Sequence, residues 1–161
     1  MIEKIISGGQ TGVDRAALDF AIENQISHGG YCPKGRKAED GIIPRRYQLI
    51  ETVSPNYRQR TEKNLMESDG TLVLYQEPII GGTYLTIQLC HEKMKPIHLI
   101  DLNRDQTRSI LLFEQWIENN HVYILNIAGP RQTKDNTYGR ALKTLNQIME
   151  SFIGVKKNET E

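Results

Sequence analysis

The chain has 161 residues, 38% of them apolar, and its formal charge is zero. That suits one domain with one core. It excludes a membrane-spanning helix, since no run of about 18 apolar residues occurs, and it argues against a general nucleic-acid binder. Ile2 to Ser7 predicts a first strand, and the N-terminus lacks the charged region, apolar stretch and cleavage site of a signal peptide, so a cytoplasmic location is expected. Val13, Ala16, Ala17, Phe20 and Ala21 fall at one-face helical spacing and predict a helix over 13–24. A short strand is expected over 29–32. Residues 33–49, with Pro33, Gly35, Gly41, Pro44 and many charges, predict a long irregular loop, a length often tied to function.

Ile50 to Ser54 suggests a short extended piece, and Tyr57 to Ser68 a helix capped from Ser54-Pro55-Asn56. Thr71 to Tyr75 is a continuous apolar run, as in a strand covered on both faces. Gly81-Gly82-Thr83 then turns into a helix with Thr83, Ile87, Cys90 and Met94 expected inside. Strands are expected at 96–101 and 122–128. A helix over 105–119 carries Ile110, Phe113 and Ile117. A last helix over 137–153 turns Ala141, Leu145, Ile148 and Phe152 inward. Residues 1–153 thus form a single domain, and the polar stretch 154–161 is expected to be a disordered tail. The two cysteines, Cys32 and Cys90, match no metal pattern and read as free thiols. The four histidines show no ligand spacing, so no metal site is expected.

Alternating strands and helices imply an α/β fold, with a mostly parallel five-stranded sheet and helices on both faces. Right-handed crossovers bring the strand C-terminal ends to one edge, and ligands of such folds bind there. The loops expected at that edge are 7–12, 33–49, 76–83, 101–105 and 129–136.

Four motifs at this edge carry chemistry. Ser7-Gly8-Gly9-Gln10-Thr11-Gly12 links a strand to a helix. Its glycines allow close approach to the backbone, and the helix start favours an anion. Asp14 and Arg15 follow in the first turn. Asp14 either complements the helix dipole or accepts a hydrogen bond from a ligand, and Arg15 is a candidate phosphate contact. Gly81-Gly82-Thr83 repeats the strand–glycine–hydroxyl–helix arrangement. Lys34, Gly35 and Arg36 lie in the stretch 31–60, whose seven cations against three carboxylates give a local charge of +4, an attractive field for a small anion. Gly129 and Arg131 close the last strand, and Arg131 is a second anion clamp. Arg60 and Asn64, on the helix after residue 57, are further candidates. Cys32 reads as a small buried residue, because no histidine stands at a spacing that would activate it.

Together these segments (Ser7 to Asp19, Cys32 to Arg36, Ala38 to Gly41, Ser68 to Thr71, Gly81 to Thr83, and Asn126 to Arg131) resemble the molybdenum cofactor carrier proteins, over about residues 5–150. The resemblance implies a Rossmann-like three-layer sandwich that binds molybdenum cofactor (molybdopterin), or a related phosphate-bearing ligand, and hands it on. It also implies partners among molybdoenzymes or cofactor-synthesis proteins. Phosphate or sulfate would occupy the same site, and a homo-oligomer is expected. The family is similar to a wider group that includes lysine-decarboxylase-like proteins and the cytokinin-activating phosphoribohydrolases. Their Pro-Gly-Gly-x-Gly-Thr-x-x-Glu motif is matched by neither glycine loop here. A placed carboxylate is central to glycosidic cleavage, so the departure favours a binding protein over an enzyme. Two alternatives stay open: a nucleotide-processing enzyme with Asp14 as its carboxylate, or a sensor of a nucleotide-derived signal.

Overall fold

The computed structural model describes residues 1–158, and side chains as far as Ser151. Along the chain run β1 (Lys4–Ile6), α1 (Val13–Glu23), β2 (Ser27–Gly29), β3 (Tyr31–Cys32), β4 (Lys37–Ala38), β5 (Gly41–Ile42), β6 (Ile50–Glu51) and α2 (Tyr57–Glu67). Then follow β7 (Gly70–Tyr75), α3 (Gly81–Glu92), β8 (Ile97–Asp101), α4 (Thr107–Asn119), β9 (Ile124–Ala128) and α5 (Thr137–Asn158). Among the described residues no helix is long and apolar enough to cross a membrane.

Five strands form one sheet in the order β2-β1-β9-β7-β8, and every pairing is parallel. The fold is α/β and Rossmann-like, as expected. The order is informative. Counted from β7 as first strand, through β8, β9, β1 and β2, it becomes the doubly wound order 2-1-3-4-5. The chain therefore runs through a doubly wound sheet from an unusual starting point. The switch point of that order lies between β7 and β9.

Why each helix lies where it does follows from its apolar face. Val13, Ala16, Ala17, Phe20 and Ala21 of α1 are all buried, and they join Phe113 and Ile117 of α4 and Ala141, Leu145 and Ile148 of α5 in the main core. On the other side of the sheet Leu65 of α2 packs with Leu89 and Cys90 of α3. Both cysteines are free and buried. β7 is an interior strand between β9 and β8, and its Leu72, Val73 and Leu74 are fully buried, as its continuous apolar run requires.

Four expectations are corrected. The strand expected over 29–32 breaks at Gly30, whose φ of +123° turns the chain out of the sheet. A Cβ there would overlap the Ser7 carbonyl, so β3 leaves β1 and pairs with β6 instead. Residues 33–49 are not an irregular loop. They contain the hairpin β4–β5 and their own small core, in which Ile43, Tyr47 and Leu49 pack with Leu18, Cys32 and Ala38. Met94, expected inside, is 91% exposed, because α3 ends at Glu92 and Met94 takes a left-handed φ of +52°. Finally the last helix, expected over 137–153, is described as far as Asn158. Residues 159–161, and the side chain of Phe152, lie outside the described residues.

Candidate functional site

A cleft of about 610 Å³ opens over the switch point, at the C-terminal ends of β1, β7 and β9. Ligand sites typically span about 300–1,000 Å³. Asn126 and Ala128 of β9 form part of its floor, and Asn126 is buried with its Nδ2 donating to Thr71 Oγ1 at 3.2 Å. Three loops make the walls, at Gly8 to Asp14, Gln76 to Thr83 and Gly129 to Asp135, and α2 makes the fourth.

The glycine loop after β1 is tightly self-bonded. The Gln10 N–H donates to Asp14 Oδ2 at 3.1 Å, the Thr11 N–H to Gln10 Oε1, and the Val13 N–H to the Pro130 carbonyl. Ser7 is buried and its hydroxyl donates to the Ile127 carbonyl at 2.6 Å. Gly12 lets the loop pass against Pro130 and Arg131, where a Cβ would come within 2.5 Å of the Pro130 carbonyl oxygen. Gly9 is backed by Leu49 and Ile43. A carboxylate, that of Asp14, thus stands in the first turn of α1 and bonds the loop ahead of the helix.

Asp14 also meets Arg60 of α2. Arg60 Nη1 lies 2.8 Å from Asp14 Oδ2, and the two side chains are only 13% and 5% exposed. Gly8 is what makes room for this pair, since a Cβ there would overlap the guanidinium. Two buried donors in the wall, Arg60 Nε and Gln76 Nε2, have no hydrogen-bond partner among the described residues. Buried donors of this kind are rare and call for an explanation.

No side chain caps the first turn of α1 or of α3, but that of α3 differs in holding no carboxylate. A Cβ on Gly81 or Gly82 would meet nothing within 4 Å, and Thr83 is buried at the cleft wall. This helix start is open, with its amide end and partial positive charge directed to the cleft edge.

Of the residues expected at the site, Gly8, Gln10, Asp14, Gly81, Gly82, Thr83, Gly129 and Arg131 line the cleft. Ser7, Gly9, Thr11 and Gly12 lie behind it and shape the loop. Arg15 turns away, with Nε on the Gly9 carbonyl and the guanidinium bidentate on Asp40. That pairing holds the Asp40 carboxyl below its usual range. Lys34, Gly35 and Arg36 do not line the cleft. Arg36 donates to the carbonyls of Ile43, Pro44, Tyr47 and Leu49, which makes it the clasp of its own loop. The Gly35 N–H donates to Glu51, and Lys34 is exposed. Burial pushes the Cys32 thiol up, which suits its reading as a packed residue.

The wall that the glycine motifs do not announce is α2. Tyr57, Arg60, Thr61 and Asn64 recur at helical spacing and face the cleft. Thr61 and Asn64 are buried, and Asn64 is bonded both ways to the Tyr31 backbone. Arg60 and Asn64 were candidates from the sequence, whereas Tyr57 and Thr61 do not stand out on a helix that is polar along most of its length. Gln76, Glu77, Thr86 and Asn103 also line the cleft and carry no motif. The charges along the walls balance: Arg58, Arg60 and Arg131 stand against Asp14, Glu77 and Asp135. No histidine or cysteine lines it, and no group of three or more metal-binding side chains occurs among the described residues.

The family model that matches residues 5–149 is described as the circularly permutated YpsA SLOG family. A crystal structure from Syntrophus aciditrophicus SB, described as a "Putative molybdenum carrier protein", aligns with a TM-score of 0.87 and 45% sequence identity, covering 91% of this chain and 94% of that one. No curated protein matches. The family's description names a circular permutation, and the sheet order shows a displaced starting strand.

Proposed function

Because the chain belongs to the circularly permutated YpsA SLOG family, we propose that its cleft binds molybdenum cofactor, or a related phosphate-bearing pterin or nucleotide, and passes it on without chemical change. The observation that carries this reading is the contrast between the two helix starts. The first turn of α3 is open and uncapped, a suitable seat for a phosphate. The first turn of α1 already holds a carboxylate, Asp14, which suits the hydrogen-bonding edge of a heterocycle. Arg131, which also lines the cleft, is a second candidate contact for the phosphate. The name of the structural neighbour supports a carrier role. The walls offer no thiol or imidazole, so soft ligands for the metal would come from the sulfurs of the cofactor itself.

The test is transfer. Cofactor loaded onto the protein should activate a cofactor-free molybdoenzyme faster than the same amount of free cofactor. Equal activation with and without the protein would refute the carrier reading. A second reading, cleavage of nucleoside monophosphates, draws support from Asp14 in the cleft wall beside Arg60. Release of free base that disappears in Asp14→Asn would establish it, and no release at all would exclude it for the nucleotides tried.

A further inference from the structure

Arg131 is not free at the rim of the cleft. Its Nη1 lies 3.6 Å from Glu39 Oε1, and the two side chains are 57% and 46% exposed. Glu39 belongs to the turn between β4 and β5, and it ties that hairpin to both neighbouring loops. Its Oε2 accepts from Thr11 Oγ1 at 3.1 Å, and its N–H donates to Gln10 Oε1 at 2.9 Å. Thr11 Oγ1 in turn accepts the Gln132 N–H at 3.2 Å. One carboxylate thus links the hairpin to the glycine loop and to the loop after β9.

We propose that Glu39 is an internal counter-ion of Arg131 which an incoming phosphate displaces, so that filling the cleft loosens the β4–β5 hairpin. This rests on the reading that Arg131 contacts the phosphate of the ligand. The physics favours exchange. A half-exposed pair at 3.6 Å is weak. A phosphate oxygen pair matches a guanidinium fork better and carries more charge. Glu39 therefore orients Arg131 while the cleft is empty and tempers affinity when it fills, which suits a ligand that must later be released. On displacement the hairpin loses its tie to Arg131. It keeps the Arg15–Asp40 pair at 2.9 Å as a hinge.

The experiment uses guanosine monophosphate as probe, titrated by calorimetry into the full chain, with Glu39→Gln, Arg131→Gln and the double variant. Glu39→Gln should bind about two- to fivefold tighter, the range a weak exposed pair can supply. That gain should vanish when Arg131 is already replaced. A gain that persists without Arg131 is general electrostatics and overturns the proposal, as does unchanged or weaker binding in Glu39→Gln. Amide exchange over residues 37–42 should speed up when the probe binds the wild type, and slower or unchanged exchange also overturns it. The underlying reading fails separately, through absent binding to the wild type or unaltered binding in Arg131→Gln.

Discussion

Replacing Arg60 by methionine removes a guanidinium but keeps most of the stem. The partner left behind is Asp14, whose side chain is 5% exposed and whose Oδ2 sits 2.8 Å from the lost nitrogen. Removing one member of a buried ion pair costs about 3–5 kcal/mol, because the other charge stays desolvated. Asp14 keeps the Gln10 N–H at 3.1 Å and the start of α1, which together place the cost at the lower end, about 3 kcal/mol. For a chain of this size that lowers Tm by about 6–12 °C. Urea melts of Arg60→Met, Asp14→Asn and the double variant would measure it. The double variant should recover about half the loss, since a neutral amide does not require the cation. Gly8→Ala should behave like Arg60→Met, because its Cβ displaces the same guanidinium. A loss under about 1 kcal/mol in Arg60→Met, or a double variant no more stable than it, would refute the claim that Asp14 depends on Arg60.

Gly82→Ala should leave stability within about 0.5 kcal/mol, since its Cβ enters open space, yet weaken phosphate binding about tenfold by filling the start of α3. Melting and phosphate titration of the same sample separate the two effects. Arg36→Lys should do the reverse. It loses the fork that meets four carbonyls, with a stability loss of about 2–3 kcal/mol, while the folded protein binds phosphate as before. Burial holds His98 below its ordinary value of 6.5, since it is packed against Phe113 and Trp116 with Nε2 on the Ser109 carbonyl. The unfolded chain takes up a proton near that value and the folded chain resists it. The His98 contribution is therefore present above about pH 6.5 and lost as pH falls below it. Stability curves from pH 7.5 to 5 should slope downward in the wild type and less steeply in His98→Gln.

Hydropathy and glycine spacing were enough to place four of the five strands of the main sheet and to identify the edge at which the cleft opens. The run at Thr71 to Tyr75 and the face at Val13, Ala16, Ala17 and Phe20 are local patterns, and local patterns survive being read one window at a time. The basic stretch 31–60 misled for the same reason. In a window, Arg36 aimed at its own carbonyls is indistinguishable from an arginine aimed at a ligand. Ile43, Tyr47 and Leu49, which make its loop a small core, show no period at all.

Strand order, too, is invisible to a pattern that carries no distance information. Only the assembled sheet reveals that β1 lies beside β9 and that the switch point falls between β7 and β9. The chain by itself determined that glycine-rich helix starts would gather at one edge. Tertiary structure decided which of them is open. Asp14 and Arg60, 46 residues apart, meet across Gly8 and leave a carboxylate at the first, and the second holds none and has empty space above Gly81 and Gly82. A helix start attracts anions wherever it occurs. Whether it binds an outside one depends on whether the fold has already placed a carboxylate there.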